Sequence, residues 1–310
     1  MERPYSQAAG PSRTTARAPS KAMYTKKSSL VLEHLAERCQ KSWKPRPRWG
    51  RGRQAAFAVA AWAVSVQIAV LAERAFALKE VFCLNLDGYP KRWSFMQRQL
   101  EALHMSATRW PVDGLAGLDV NDLSQLGLVK QHALKRYCLP AESKLHGIDL
   151  TAEGIGRALS HMQVWKHVAM NYEDDDMCLV LEDDCLFLPE FSLASLRERL
   201  AKVPANWQIV FLGGQDLLQK QRRLAAEGVH RLYRGFQGTT AYVVTASGCK
   251  ACLEVTVPLS WQVDTHLAEN EVQAGQITYT VKPRGYFLHP ALVRQGQPPF
   301  PAKAAGSSQC

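Results

Sequence analysis

The stretch "NYEDDDMCLVLEDDCLFLPE", residues 171–190, contains two acidic clusters separated by a short apolar run. Four acids, Glu173–Asp176, precede five apolar residues, Met177–Leu181, and three more acids, Glu182–Asp184, follow them. An apolar run of this length, bounded by polar residues, predicts a buried β-strand. The two clusters therefore lie at opposite ends of one predicted strand, and the direction of that strand distinguishes them.

Other apolar runs of strand length alternate with helical patterns on both sides of this strand. The strand-like runs are "VFCLNL" (81–86), "WQIVFLGG" (207–214), "TTAYVVTA" (239–246) and "ITYTVKP" (277–283). Apolar residues recur at helical spacing in "KRWSFMQRQLEAL" (91–103) and "TAEGIGRALSHMQVWKHVAM" (151–170). This alternation predicts an α/β fold with a mostly parallel sheet flanked by helices.

The basic charge of the chain is confined to its first 54 residues. A net charge of +10 would suit a nucleic acid or an anionic membrane as a partner. However, residues 1–54 contain 13 Lys or Arg and three Asp or Glu, whereas residues 55–310 contain 25 of each kind. Because the globular part is neutral and shows no basic face with interleaved aromatic residues, we expect no nucleic-acid partner.

Composition divides the chain into four segments. Residues 1–54 are predicted to be a mostly disordered basic tail, 78–298 one globular domain and 299–310 a C-terminal tail. Residues 55–72, "AAFAVAAWAVSVQIAVLA", carry no charge, and as a helix they would extend roughly 27 Å, close to the thickness of a hydrocarbon core. This segment is predicted to be either a signal anchor or a targeting helix. An anchor would give a type II protein of the Golgi or endoplasmic reticulum membrane, and otherwise we expect a cytoplasmic protein.

Eight cysteines raise the question of metal or redox chemistry. They occupy positions 39, 83, 138, 178, 185, 249, 252 and 310. The close pair Cys249 and Cys252 has no second pair at the spacing of a zinc site, so we predict packing within the core. If the domain is lumenal, disulfide bonds between some of these cysteines are an alternative.

The acids that follow the strand are the strongest candidates for a site. In mostly parallel sheets, ligands bind at the carboxyl ends of the strands. Side-chain alternation sends Glu182 and Asp184 to one side and Asp183 to the other. Two neighbouring carboxylates favour a hard divalent cation, Mn²⁺ or Mg²⁺, that would bridge them to a substrate phosphate. Glu173–Asp176 lie at the amino end, where a solvated loop is expected.

Polar residues elsewhere are ambiguous when taken alone. Asn85 and Asp87 end the first strand and Arg92 opens the next helix, where they would suit a nucleotide, but ordinary turns have the same composition. Ser160 and His161 form either a satisfied buried pair or a ligand contact.

Asp264 in "SWQVDTHL" and His289 in "GYFLHPALVRQ" each stand beside apolar residues. Taken alone, a single polar residue in such surroundings is more typical of a hydrogen-bonded structural residue than of a catalytic one.

Six segments, taken in order, resemble glycosyltransferase family 25, which includes lipooligosaccharide galactosyltransferases and procollagen galactosyltransferase-like proteins. They are "CLNLDGYPKRW" (83–93), "GIGRALSHMQVW" (154–165), "LVLEDDCLF" (179–187), "GTTAYVVTASGCKACL" (238–253), "VDTHL" (263–267) and "HPALVRQ" (289–295). Two departures stand out. Arg157 occupies a position where the family usually has a small residue or Cys, and "DGYPKR" replaces a more basic turn.

The resemblance implies a GT-A-like fold, a nucleotide-sugar donor that is most often UDP-galactose, a divalent metal ion and inversion at the anomeric carbon. The Glu-Asp-Asp element would stand for the Asp-x-Asp motif of that fold, with Glu182 and Asp184 as metal ligands and His289 as a third. Asp264 would be the general base. The implied nucleotide-sugar contacts are Asn85, Asp87, Arg92, Ser160, His161 and Asp183.

The predicted function is metal-dependent, inverting transfer of a hexose, galactose by preference, from a UDP-sugar. The acceptor is a hydroxyl group of a glycan, of a lipid-linked sugar or of a protein. The alternative is a catalytically silent relative that binds a nucleotide-sugar or a glycan.

Overall fold

The computed structural model describes residues 77–112, 119–217, 224–233, 235–268 and 283–296. The predicted basic tail, the apolar segment 55–72 and the tail 299–310 lie outside the described residues, and so does nearly all of "ITYTVKP". The predicted bounds of the globular domain, 78–298, therefore stay a prediction. Among the described helices, none is long and apolar enough to cross a membrane.

Twelve strands occur in the described residues. They are β1 (Leu78–Leu86), β2 (Thr108–Val112), β3 (Met177–Glu182), β4 (Cys185–Phe187), β5 (Ile209–Phe211), β6 (Gln215–Asp216), β7 (Leu224–Ala226), β8 (Val229–Arg231), β9 (Phe236–Gln237), β10 (Ala241–Thr245), β11 (Gly285–Leu288) and β12 (Val293–Gln295). Eight of them form one sheet in the order β2–β1–β3–β10–β5–β11–β8–β7, while β12 pairs with β4 and β6 with β9.

The central sheet is mostly parallel. Strands β1, β2 and β3 run side by side in one direction, and β5 and β11 share that direction. Strand β10 runs antiparallel to both β3 and β5, and β8 runs antiparallel to its neighbours β11 and β7. Six strands therefore share one direction, and the predicted α/β fold with a mostly parallel sheet flanked by helices is confirmed.

Helices cover both faces of this sheet. The α-helices are α1 (Pro90–Ala102), α2 (Val120–Gln125), α3 (Gln131–Tyr137), α4 (Ala152–Asn171), α5 (Leu193–Ala201), α6 (Ala246–Thr256) and α7 (Val263–Ala268), and a short 3₁₀ turn covers Ala141–Ser143. Helices α4 and α6 pack on one face, whereas α1 and α5 contribute buried side chains to the other.

Strand β3 is apolar from Met177 to Leu181, where both of its faces are covered. Cys178 and Val180 belong to the core cluster under α4 and α6, whereas Leu179 and Leu181 belong to the cluster under α1 and α5. All four side chains are fully buried. A strand buried on both faces needs a continuous apolar run, so the sequence pattern and the central position agree.

Helix α4 brings its first turn to the carboxyl edge of the sheet. The Thr151 hydroxyl accepts a hydrogen bond from the Gly154 N–H and caps the helix. A Cβ atom at Gly154 would lie 2.6 Å from the Gln262 side chain, which immediately precedes α7. The start of α4 and the segment before α7 therefore approach closely, and a larger residue at position 154 would displace the end of the Gln262 side chain.

The acids at the amino end of β3 form a solvated loop, as expected. Glu173, Asp174 and Asp175 are exposed. Lys250 pairs with Asp174 at 2.7 Å, and Lys79 pairs with Asp176 at 3.3 Å. Exposed ion pairs of this kind contribute at most about 1 kcal/mol, so this cluster needs no functional explanation.

The close cysteine pair packs in the core. Cys249 and Cys252 lie on α6 as free, fully buried thiols. Burial raises the pKa of the Cys249 thiol well above its usual range, so it stays protonated. The pair therefore behaves as small apolar side chains.

Candidate functional site

The turn after β3 separates the three acids of the Glu-Asp-Asp element. Glu182 continues the face of Val180 and contacts His161 of α4. Asp183 lies on the opposite side and contacts Arg92 of α1. Asp184 accepts a hydrogen bond from Gln295 of β12. Each carboxylate therefore has its own surroundings, and the predicted separation of Asp183 from Glu182 is what the structure shows.

Asp183 is the centre of a closed set of hydrogen bonds, which we call the Asp183 network: Asn85, Asp87, Arg92, Arg109 and Asp183. One carboxylate oxygen of Asp183 accepts from Asn85 Nδ2 at 2.8 Å, and the other accepts from Arg92 Nη1 at 3.0 Å. Asp183 is only 7% exposed. Its charge is therefore balanced inside the protein.

Arg109 completes the Asp183 network and is absent from the sequence prediction. It lies on β2, next to β1, where Cys83 pairs with it in register. Its Nε donates to Asn85 Oδ1 at 2.8 Å, and its Nη2 donates to Asp87 Oδ1 at 2.6 Å. Four residues expected to contact the nucleotide, namely Asn85, Asp87, Arg92 and Asp183, are thus brought together and hydrogen-bonded to one another or to Arg109.

Glu182 is the centre of a second set, which we call the Glu182 cluster: Arg157, His161, Glu182 and Thr239. Glu182 Oε1 accepts from the Thr239 hydroxyl at 2.6 Å and contacts His161 Nε2 at 3.1 Å. Arg157 Nε lies 3.7 Å from the same oxygen. Burial alone would raise the pKa of Glu182, but the His161 hydrogen bond and the Arg157 charge outweigh it and hold that pKa below its usual range.

A buried chain of hydrogen bonds supports Glu182 from behind. Trp165 Nε1 donates to the Tyr242 hydroxyl at 2.9 Å, and that hydroxyl lies 2.9 Å from His161 Nδ1. Because the Glu182 carboxylate can only accept, the proton lies on His161 Nε2, and in a neutral ring Nδ1 accepts from Tyr242. The chain runs from Trp165 through Tyr242 and His161 to Glu182.

Ser160 and His161 do not reach the surface of the site. His161 is fully buried, with both ring nitrogens engaged. The Ser160 hydroxyl donates to the backbone oxygen of Gly156 at 2.7 Å. The sequence left two interpretations open, a buried hydrogen-bonded pair and a ligand contact. In this structure Ser160 and His161 are buried, and each is hydrogen-bonded within the protein.

Asp184 has fewer hydrogen-bond partners than Glu182 and Asp183. Its Oδ2 accepts from Gln295 Nε2 at 2.9 Å, while its buried Oδ1 has no hydrogen-bond partner among the described residues. Burial, followed by the charge of Glu182, raises the pKa of Asp184 above its usual range.

Asp264 is held by backbone groups in the first turn of α7. Its Oδ2 accepts from the Gly238 N–H at 2.7 Å, and its Oδ1 accepts from the Thr265 N–H at 2.8 Å. Gly238 has a φ of 119°, a conformation that only glycine adopts without strain. Burial raises the pKa of Asp264 above its usual range. The result is an oriented carboxylate with increased basicity.

Glu182 and Asp264 line a common cavity of about 840 Å³. Its walls come from the segment 141–149, the end of β3, β6, β9 and the residues that join it to β10, the starts of α4 and α7, and β12, so it lies at the carboxyl edge of the sheet. The charged side chains that line it are Lys144, Asp149, Arg157, Glu182, Asp264 and Arg294. The volume suits a small-molecule site.

A second cavity of about 680 Å³ lies at the opposite edge, beside the starts of β1 and β2. Lys79, Glu80 and Arg197 are its charged side chains, and the imidazole of His104 also lines it. Because ligands in such sheets bind at the carboxyl edge, the first cavity is the candidate active site.

The predicted metal site is not assembled. Within the ranges that the structure describes, no three His, Cys, Asp or Glu side chains are gathered so as to hold a metal ion. His289 directly follows β11, and its ring centroid lies 5.6 Å from that of His230 on β8. Strands β11 and β8 are separated from β3 by β10 and β5. Glu182 Oε1 is already surrounded by Thr239, His161 and Arg157. As they stand, Glu182, Asp184 and His289 are not gathered as one donor set that fits a divalent cation, and their role as metal ligands stays a prediction.

Comparison with known proteins gives a family match. A sequence profile described as "Glycosyltransferase family 25 (LPS biosynthesis protein)" matches residues 78–267. A "Glycosyltransferase 25 family member" of Drosophila melanogaster is 26% identical over 175 residues, which cover 56% of this chain and 27% of that protein. Procollagen galactosyltransferase 2 of Mus musculus is 28% identical over 175 residues, covering 55% of this chain and 27% of that protein. The chain thus spans about a quarter of the length of the curated relatives it matches.

Solved structures give weaker likenesses. The galactosyltransferase LgtC in complex with donor and acceptor sugar analogues is 13% identical, with a TM-score of 0.32 and coverage of 67% of this chain and 72% of that one. An active-site mutant of LgtC has a TM-score of 0.34 at 12% identity, with coverage of 71% and 88%. At these TM-scores, neither structure adds to the assignment.

Proposed function

The chain belongs to glycosyltransferase family 25, and from this premise we propose that it transfers a hexose, galactose by preference, from a UDP-sugar to a hydroxyl group. The acceptor is a glycan, a lipid-linked sugar or a protein. The observation that carries the proposal is the carboxyl-edge cavity, where a buried, oriented Asp264 faces the same space as Glu182 and Arg157. Relatives that bear the name procollagen galactosyltransferase support galactose as the sugar.

The donor is proposed to lie across the turn after β3. Leu84 of β1 pairs in register with Glu182 of β3, so the Asp183 network and the cavity are adjacent. The nucleoside would contact Asn85, Asp87 and Arg92, and the sugar would occupy the cavity. Binding there would exchange some hydrogen bonds within the Asp183 network for bonds to the ligand.

Asp264 is proposed as the general base of an inverting reaction. Its carboxylate takes the proton of the acceptor hydroxyl as the oxygen attacks the anomeric carbon. The bond between that carbon and the diphosphate oxygen breaks on the opposite face, and its electron pair leaves with UDP. The backbone donors Gly238 and Thr265 fix the orientation of the carboxylate, and burial increases its basicity.

A direct test uses the full chain with a panel of UDP-sugars and hydroxyl acceptors. UDP release that depends on acceptor is expected with UDP-galactose, and NMR should show a β-linked product from the α-linked donor. A retained α-linkage would contradict inversion. Tight binding of UDP-galactose without acceptor-dependent UDP release would instead support the silent alternative.

A further inference from the structure

Arg157 is a cationic residue of the carboxyl-edge cavity. It lies in the second turn of α4, and its side chain is 44% exposed. Its guanidinium lines the cavity and lies 3.7 Å from Glu182 Oε1. A ligand in the cavity could therefore reach this cation.

The guanidinium lies beside one carboxylate of the cavity and shares the cavity with another. It is 3.7 Å from Glu182 Oε1, and Asp264 lines the same space. A divalent cation would normally balance acids placed in this way at a phosphate site. In the part of the chain that the structure describes, the donors do not gather around such an ion, whereas the permanent positive charge of Arg157 lies next to Glu182.

Two further cations line the same cavity. Lys144 lies over the Tyr137 ring at 5.0 Å, which holds the ammonium group at the rim. Arg294 belongs to β12 and is followed by Gln295, the residue bonded to Asp184. Guanidinium groups bind phosphate oxygens through paired N–H donors, and an ammonium group binds them as a point charge.

We propose that Arg157, assisted by Lys144 and Arg294, binds the diphosphate of the nucleotide-sugar and takes the place of a divalent cation. The inference rests on the proposed function and deepens it. When the bond between the anomeric carbon and the diphosphate oxygen breaks, the electron pair moves onto the diphosphate. The guanidinium of Arg157 stabilises that charge, so transfer requires no metal ion.

Calorimetric titration of the full chain with UDP, in EDTA and then in Mn²⁺, tests this inference. Wild-type protein should bind UDP in EDTA, with an affinity that Mn²⁺ changes by less than about threefold. Loss of a charge-assisted pair predicts that Arg157→Ala weakens binding in EDTA by about tenfold or more, and that Arg157→Lys weakens it less. Arg197→Ala, at the amino-edge cavity, is the matched control and should bind as wild type does.

Each contrary result has a distinct meaning. Binding that appears only with Mn²⁺ overturns the inference and leaves the proposed function standing. Unchanged binding by Arg157→Ala, in a protein whose thermal midpoint matches wild type, also overturns the inference. Failure of the wild type to bind UDP under both conditions overturns the proposed function and the inference together.

Discussion

The Asp183 network and the Glu182 cluster lie on opposite sides of one turn and treat their acids differently. Asp183 is paired with Arg92 and Asn85 and is nearly buried. Glu182 is hydrogen-bonded to the buried His161 and also lines a cavity that Asp264 lines. Two adjacent acids of one motif thus have different surroundings: Asp183 links β1, β3 and α1 through hydrogen bonds, and Glu182 lines a cavity.

The sharpest test on the cavity side is Asp264→Asn. If Asp264 is the base, losing its carboxylate should reduce the transfer rate by about 10³-fold, within the range for general bases, while the fold is kept. Initial rates of UDP release, with circular dichroism on the same samples, measure both effects. Asp175→Asn, on the exposed loop at the amino end of β3, should leave the rate unchanged. A wild-type rate in the Asp264 variant would remove it as the base.

The matching test of the Asp183 network is Asp183→Ala. Removing one partner of a nearly buried pair deprives Arg92 of its carboxylate and Asn85 of one of its two acceptors, so the free energy of unfolding should fall by about 3 kcal/mol. Urea denaturation measures this loss. Asp175→Ala, which alters an exposed acid, should change it by less than about 0.5 kcal/mol. Equal stability of the two variants would mean that the network is not a structural support.

Tyr242→Phe tests whether the buried chain positions Glu182. Its hydroxyl accepts from Trp165 and bonds to His161, so its removal should lower the free energy of unfolding by about 2 kcal/mol. We also expect kcat to fall more than KM changes, because the His161 ring that holds Glu182 loses its orienting bond. Steady-state kinetics on folded protein separate the two effects. A variant with lowered stability but wild-type kcat would show a purely structural role.

The smallest effect concerns Asp149, a cavity-lining acid with a partner of its own. A hydrogen bond from Arg136 outweighs burial and holds the pKa of Asp149 below its usual range. Its stabilisation is therefore present above the ordinary carboxyl pKa, near 3.8, and is lost as the pH falls through the lower folded value. Thermal midpoints from pH 7 to pH 2 should fall less steeply for Asp149→Asn than for wild type. Identical slopes would contradict this assignment.

Local pattern predicted the fold well because each element carries its own signal. The apolar run 177–181 and the helical spacing in 91–103 and 151–170 correspond to β3, α1 and α4. Strand β2 was missed because "TRWPV" is half-exposed and contains a proline at the edge of the sheet. Its omission also hid Arg109, since nothing in one short segment shows which strand becomes its neighbour.

The positions of site residues were predictable where strand direction and side-chain alternation determine them. They were not predictable where residues from strands distant in sequence come together. Direction distinguished Glu182–Asp184 from the acids at the amino end of β3, and alternation separated Asp183 from Glu182. The position of β11 in the sheet, three strands from β3, separates His289 from Asp184. The order of strands in the sheet is not visible in the sequence. Thr239 and Gln295 lay inside motif segments, yet their bonds to Glu182 and Asp184 depend on packing of the whole domain.

The bond between Gln295 and Asp184 joins residues 111 positions apart and helps to close the cavity wall that β12 supplies. On the ribosome, Asp184 emerges long before Gln295, by roughly 6 to 22 seconds at ordinary rates of synthesis. During that interval the residues of β1 and β3 have been synthesised, while those of β12 have not. The wall that β12 supplies can therefore form only after Gln295 has emerged, so the cavity cannot be complete before then.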